Sequence, residues 1–221
     1  MPILCISGNI AAGKTTLTRA LSQHGWIPLE EQPDINPFLG ASYANPKRYA
    51  LCSQFTFMLD KYRLLRNCPP NRPVVVERWI EEDALFARFL YQLGYMREAE
   101  WEAYEAGYEF LKRELPPVDL VVYLHCPYSV ARERILWRGR PYEANLPSGY
   151  WLDLQELYES WVSRWDTSPV LRVDTSKCDL LSDAELERLV ASIQAQIHLP
   201  FDPESSVRSG NTRDARRNGT C

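Results

Sequence analysis

An apolar run that begins almost at the N-terminus, Ile3-Leu4-Cys5-Ile6-Ser7, passes directly into Gly8-Asn9-Ile10-Ala11-Ala12-Gly13-Lys14-Thr15-Thr16, and a helix-compatible Leu17-Thr18-Arg19-Ala20-Leu21 follows. Strand, glycine-bounded loop and helix in that order describe a phosphate loop with the spacing Gly8-x-x-x-x-Gly13-Lys14-Thr15. The spacing follows from chemistry. The glycines let backbone N–H groups close around phosphate oxygens, Lys14 places a point charge at the β/γ bridge of a nucleoside triphosphate, and the Thr15 hydroxyl can sit on Mg²⁺.

The remaining pattern alternates strand and helix. Short, nearly continuous apolar strands are expected at residues 2 to 7, 26 to 29, 74 to 76, 120 to 124 and 170 to 173, as in a parallel sheet covered on both faces. Asn45-Pro46 supplies an N-cap and a first-turn proline for a long helix running to about Arg66, where Cys68-Pro69-Pro70 stops it. Around 150 to 165, Trp151, Leu154, Tyr158, Trp161 and Trp165 recur at steps of three and four and predict an aromatic core face. Ser182-Asp183-Ala184-Glu185 reads as a capping box for the last helix. A chain of 221 residues with 45% apolar content suits one α/β domain over residues 1–202. The polar stretch 203–221 reads as a disordered tail.

A formal net charge of −4 offers no uniform basic face and argues against nucleic acid as the main partner, a local cluster of arginines aside. The six cysteines form no Cys-x-x-Cys pair and the three histidines lie far apart, so neither a disulfide framework nor a zinc site is expected. No stretch is long enough to span a bilayer, and a strand starting at residue 3 leaves no room for a leader; the expectation is a cytoplasmic protein without a membrane partner.

A phosphate loop alone does not separate a GTPase, a motor and a small-molecule kinase, so three further constellations decide. Glu77-Arg78-Trp79 stands at the carboxyl end of the 74 to 76 strand, where open parallel sheets place ligands. There Glu77 can hold Mg²⁺ or its waters, and Arg78 an oxygen of the acceptor or of the migrating phosphoryl group. Arg134 and Arg138 lie one helical turn apart, and Gly139 lets the chain break so that Arg140 folds back over the same point. Such a lid of guanidiniums stabilises the charge of phosphoryl transfer and excludes water. Finally, Glu30-Glu31-Gln32-Pro33 follows the second strand and precedes Asn36-Pro37-Phe38. A carboxylate close to a γ-phosphate is tolerable where it orients a hydroxyl and takes its proton, so one of Glu30 and Glu31 is a candidate base.

With these motifs in this order, the chain resembles the deoxynucleoside kinase family, which includes deoxycytidine, deoxyguanosine and deoxyadenosine kinases, over roughly residues 3 to 198. The resemblance implies a three-layer phosphate-loop kinase with a five-stranded parallel sheet flanked by helices, an arginine-rich lid and a homodimer. It implies ATP as donor, held by Gly8 through Thr16, Arg134 and Arg138, with Mg²⁺ on Thr15 and Glu77. A loop near Lys177-Cys178-Asp179 would border the adenine. The acceptor would be a deoxynucleoside phosphorylated on its 5′-hydroxyl in nucleotide salvage. Its sugar would meet Glu31, Tyr43, Arg78 and Glu143, and its base Gln54, Asp83 and Lys61. The family pattern selects Glu31 over Glu30 as the base, with Glu77 as second choice, and adds Lys14, Arg78, Arg134, Arg138 and Arg140 to the catalytic set.

Three positions depart from the pattern: Trp79 stands in place of serine, Gln32 in place of proline, and Lys61 where relatives often carry arginine, a better planar fork. The base preference is therefore open. Two rival readings remain, a thymidylate-type monophosphate kinase and a non-catalytic nucleotide-binding subunit. The first usually shows Asp-Arg rather than Glu-Arg and needs extra cations for its acceptor phosphate. The second has no use for so costly a charge cluster.

Overall fold

In the computed structural model, which describes residues 2–69, 71–144 and 147–197, each expected strand forms with small changes at its ends. The elements run β1 (Ile3–Ser7), α1 (Lys14–Gln23), β2 (Ile27–Leu29), a 3₁₀ turn (Pro33–Ile35), α2 (Leu39–Ala44), α3 (Pro46–Arg66), β3 (Val74–Glu77), α4 (Ile80–Gln92), α5 (Glu98–Arg113), β4 (Leu120–His125), α6 (Tyr128–Arg138), α7 (Pro141–Ala144), α8 (Ser148–Arg164), β5 (Val170–Asp174) and α9 (Asp183–Ile197). The five strands pair in parallel in the order β2-β3-β1-β4-β5. The tail assigned to 203–221 lies outside the described residues.

Alternation along each central strand builds two cores. Leu4 and Ile6 of β1, Val75 of β3 and Leu120, Val122 and Leu124 of β4 face one side; they meet Leu17 and Leu21 of α1, Ile135 of α6, and Trp151, Leu154 and Tyr158 of α8. Ile3 and Cys5, Val76 and Val121 face the other side, against Met58 of α3, Ile80 and Leu90 of α4 and Tyr104 of α5. Burial on both faces explains why the strands read as unbroken apolar runs. Trp79 belongs to this second core, so the residue that departs from the family serine packs the interior.

The expected aromatic face of α8 is core, with Trp161 and Trp165 at its half-buried margin. Two local expectations need correction. Asn45 occupies the N-cap of α3, but its side chain makes no cap bond; its carbonyl accepts from Arg48 and Tyr49 N–H at 3.2 Å. Glu185 does not close a capping box on Ser182: its carboxylate accepts the Asp179 N–H at 2.6 Å, because the preceding turn holds an amide that needs an acceptor.

Candidate active site

The carboxyl ends of three neighbouring strands supply the site. Leaving β1, the loop from Gly8 to Gly13 turns so tightly that Gly8 takes φ +144°, with no room for a β-carbon, which would meet the Leu124 carbonyl oxygen at 2.6 Å. Lys14, at the first position of α1, folds back and donates to the Gly8 and Asn9 carbonyls at 2.9 Å each. Burial, with repulsion from Arg78, lowers its pKa to about 7, although Glu82, Glu31 and Glu77 work the other way. An ammonium held in this balance gains its full charge from an arriving polyphosphate.

Asn9, which the sequence places simply within the loop, anchors it: the Asn9 side chain accepts the Ile10 N–H at 2.7 Å and donates to Trp151 O at 3.1 Å and Gln155 Oε1 at 3.2 Å. Glu82 anchors it from the opposite side. This fully buried carboxylate accepts the Trp79 N–H at 3.0 Å and the Gly8 N–H at 3.5 Å. Sequence reasoning missed Glu82; its signal was a glutamate three residues into a helix, hidden because residue 79 is not a hydroxyl or amide cap.

Next in the sheet, β3 ends in Glu77 and Arg78. Glu77 Oε1 is buried without a hydrogen-bond partner among the described residues. Burial raises the Glu77 pKa, more than Lys14 and the Thr15 hydroxyl lower it. Arg78 adopts a left-handed φ of 59° that directs its guanidinium over the Phe86 ring, 4.6 Å from the centroid, and onto Glu31.

Beyond the edge strand β2 the two adjacent glutamates part company. Glu30 turns outward to a surface pair with Arg19 at 2.9 Å. Glu31 turns inward, 14% exposed, 3.3 Å from Arg78 Nη1 and 3.8 Å from Lys61 Nζ. Burial opposes its charge, but Arg78, Lys61, Lys14 and Arg140 more than compensate and hold its pKa below the usual carboxylate value. The loop that carries it is pinned by Asn36, whose side-chain amide donates to Ser53 O of α3 at 3.0 Å while its oxygen accepts the Phe38 N–H at 3.0 Å.

One cavity of about 1090 Å³ joins these parts. Lys14, Thr15, Thr16, Arg134 and Arg138 line it, as do Glu77, Arg78 and Arg140, and Glu31, Tyr43, Gln54, Asp83 and Glu143. Its volume matches a pocket for one large or two mid-sized ligands. Asp83 is buried with Oδ2 unpartnered among the described residues, and burial lifts its pKa to about 7; Lys61 lowers and Glu31 raises it. Tyr43 stacks on Tyr142, ring centroids 5.2 Å apart.

The lid is more divided than the sequence suggests. Gly139 ends α6 with φ +69° and turns the chain. Arg138 and Arg140 both pair with the buried Glu143, but Arg134 bonds the Ala11 carbonyl at 3.3 Å and Thr175 Oγ1 at 3.1 Å, bracing the phosphate loop against the segment after β5. The three arginines therefore do not meet at one point. In the 177–179 loop only Asp179 reaches the cavity wall; Lys177, 83% exposed, pairs with Asp174 at 3.2 Å. Trp137, Leu180 and Leu181 line that end instead, apolar residues that no polar motif could flag.

Comparison with known proteins identifies one family. A family model described as deoxynucleoside kinase matches residues 4–198. A deoxyguanosine kinase of Lactobacillus acidophilus is 32% identical over 225 residues, covering 94% of this chain and 97% of that protein. A deoxyadenosine/deoxycytidine kinase of Bacillus subtilis is 28% identical, covering 89% and 93%. A solved deoxyadenosine kinase from M. mycoides, with products dCMP and dCDP bound, superposes with a TM-score of 0.75 at 23% identity, covering 87% of this chain and 98% of that one.

Proposed function

Because the chain belongs to the deoxynucleoside kinase family, and so phosphorylates a deoxynucleoside, we propose that ATP is its donor and that Glu31 deprotonates the acceptor's 5′-hydroxyl. The observation that carries the reading is the placement of Glu31 in the same cavity as the phosphate loop, ionised and flanked by cations while its neighbour Glu30 faces solvent.

The donor's phosphates would lie in the loop from Gly8 to Thr16, closed by Lys14. Glu77 and Thr15 suit a divalent cation, since a buried carboxylate oxygen without a partner beside a hydroxyl is a donor set in need of one. Bound there, Mg²⁺ would neutralise charge on the transferring phosphates. Glu31 holds the 5′-hydroxyl and removes its proton, and Arg78 keeps that carboxylate ionised and meets the oxygens of the moving group. Arg138 and Arg140, drawn together by Glu143, close over the transfer, while Tyr43 and Glu143 hold the sugar. Gln54 and Asp83 meet the base. An amide and a carboxyl poised near neutrality can each donate and accept, which suits the amide or amidine edge of a heterocycle.

A carboxylate at the acceptor end repels a substrate that already carries a phosphate, so the free deoxynucleoside is favoured over its monophosphate. The relatives named deoxyguanosine kinase make deoxyguanosine the first acceptor to assay. A chromatographic screen of the four deoxynucleosides and their monophosphates with ATP and Mg²⁺ tests the proposal. Turnover of at least one deoxynucleoside and of no monophosphate is expected; turnover confined to monophosphates overturns it. No described helix is long and apolar enough to cross a membrane, and a cytoplasmic homodimer is the proposed state, tested by sedimentation of the purified chain.

A further inference from the structure

Lys61 lies in the fifth turn of the long helix α3 with its side chain 3% exposed, behind the cavity wall formed by Glu31, Arg78 and Asp83. It donates to the main-chain carbonyl of Glu77 and to that of Arg78, the latter at 3.1 Å, and its third direction meets Glu31 Oε1 at 3.8 Å. An ammonium has three N–H bonds; two are spent on these carbonyls, the third is left beside Glu31 at ion-pair distance, and Lys61 does not line the cavity in which a nucleobase would lie. The two carbonyls flank the left-handed Arg78, a backbone conformation rare for a residue with a side chain and held only where its surroundings fix it. The same turn aims the guanidinium over Phe86 onto Glu31. One buried cation thus ties α3 to the end of β3 and to the carboxylate that follows β2.

We propose that Lys61 is a positioning residue that locks the Arg78 turn and the Glu31 carboxylate into their reactive arrangement, and that base discrimination belongs to Gln54 and Asp83 without it. The inference rests on the phosphoryl-transfer reading above. It replaces the role in base contact that the family pattern implies for this position: a lysine, shorter and compact, satisfies itself on the backbone where a longer planar guanidinium would extend along the wall.

The groups facing Glu31 define the pH signature. Arg78 at the end of β3, Lys61 of α3, Lys14 of α1 and Arg140 beyond α6 favour its charge, while Glu77 of β3 and Asp83 of α4 are the acids beside it. Removing Lys61 withdraws a favourable charge from Glu31, so the acid limb of kcat moves to higher pH.

The test uses the full chain with Lys61→Met and Lys61→Gln, each assayed with all four deoxynucleosides at saturating ATP and Mg²⁺ from pH 5.5 to 9. Lys61→Met is expected to lower kcat at pH 7 by roughly tenfold or more for every accepted base alike, to move the acid limb up by about one pH unit, and to leave the ranking of kcat/KM among bases intact. Lys61→Gln, which keeps two N–H donors on a shorter stem without the charge, is expected to share the shifted limb but retain more of kcat; it carries the test if the methionine variant does not fold. A changed base ranking with kcat and acid limb preserved overturns the inference alone. Absence of turnover by the wild type with every deoxynucleoside overturns the acceptor reading and this inference with it.

Discussion

At the scale of single residues, the site separates groups of the same type by what surrounds them. Glu30 and Glu31 are chemically identical neighbours, but one meets a solvated arginine and the other two inward cations. Glu31→Gln keeps the shape and removes the proton acceptor, so kcat is expected to fall by about 10²-fold or more while ATP binding persists, a combination read by steady-state rates and by calorimetric titration. Near-native kcat would remove Glu31 from the chemistry. Asp83 gives a prediction about stability instead. Its folded pKa of about 7 lies above an unfolded value of about 4, so between those values the folded state holds the extra proton, and stability falls as pH rises through the interval. Asp83→Asn removes that dependence. It should stabilise the chain at pH 8 by about 1–4 kcal/mol relative to wild type and lose most of the gain at pH 4, measured by denaturant melts at the two values. A gain equal at both would show that the carboxyl is not the cause.

At the scale of elements, legibility followed the strength of the local signal. The central strands β1, β3 and β4 could be read because burial on both faces leaves no charged residue to interrupt them before their carboxyl ends, the half-buried edge strands β2 and β5 from short apolar runs, and α3 because a proline opens it and two prolines follow it. What escaped the sequence were contacts made across elements: Glu82 closing on Gly8, Arg134 bracing Thr175, and Lys61 spending its donors on β3. None of these leaves a periodicity, since each depends on which strand end comes to lie beside which helix. Nor does sequence grade glycines of one kind. Gly8 and Gly139 both hold positive φ, yet a β-carbon at Gly8 strikes a backbone oxygen, whereas at the lid hinge it meets nothing within 4 Å among the described residues. Gly139→Ala is therefore expected to cost only the left-handed strain, about 1 kcal/mol, lowering Tm by about 2–4 °C with ATP still bound. Gly8→Ala should displace the phosphate loop and abolish ATP binding. Equal effects of the two on ATP affinity would contradict the loop geometry.

At the scale of the whole molecule, the sheet order places the ends of β1, β3 and β2 side by side, and the cavity they feed is walled by helices from both layers. α1 and α6 border its phosphate end from one face, and α3 and α4 its acceptor end from the other. Ligands in such a cavity tie the two cores together, so each should raise the apparent stability of the entire chain according to its own affinity. At a concentration one hundred times its dissociation constant a ligand contributes about 2.7 kcal/mol, which for a chain of this size corresponds to a rise of about 5–10 °C in Tm. ATP with Mg²⁺ and an accepted deoxynucleoside are each expected to give such a rise. Because Lys14 spends its hydrogen bonds on the phosphate loop and is one of four cations that favour the Glu31 charge, Lys14→Ala should abolish the shift with ATP and retain the shift with the deoxynucleoside, with no loss of the fold itself. Loss of both shifts in that variant would mean that the two ends are not separately built, and that Arg78, Lys61 and Arg140 do not suffice to hold the acceptor end without Lys14.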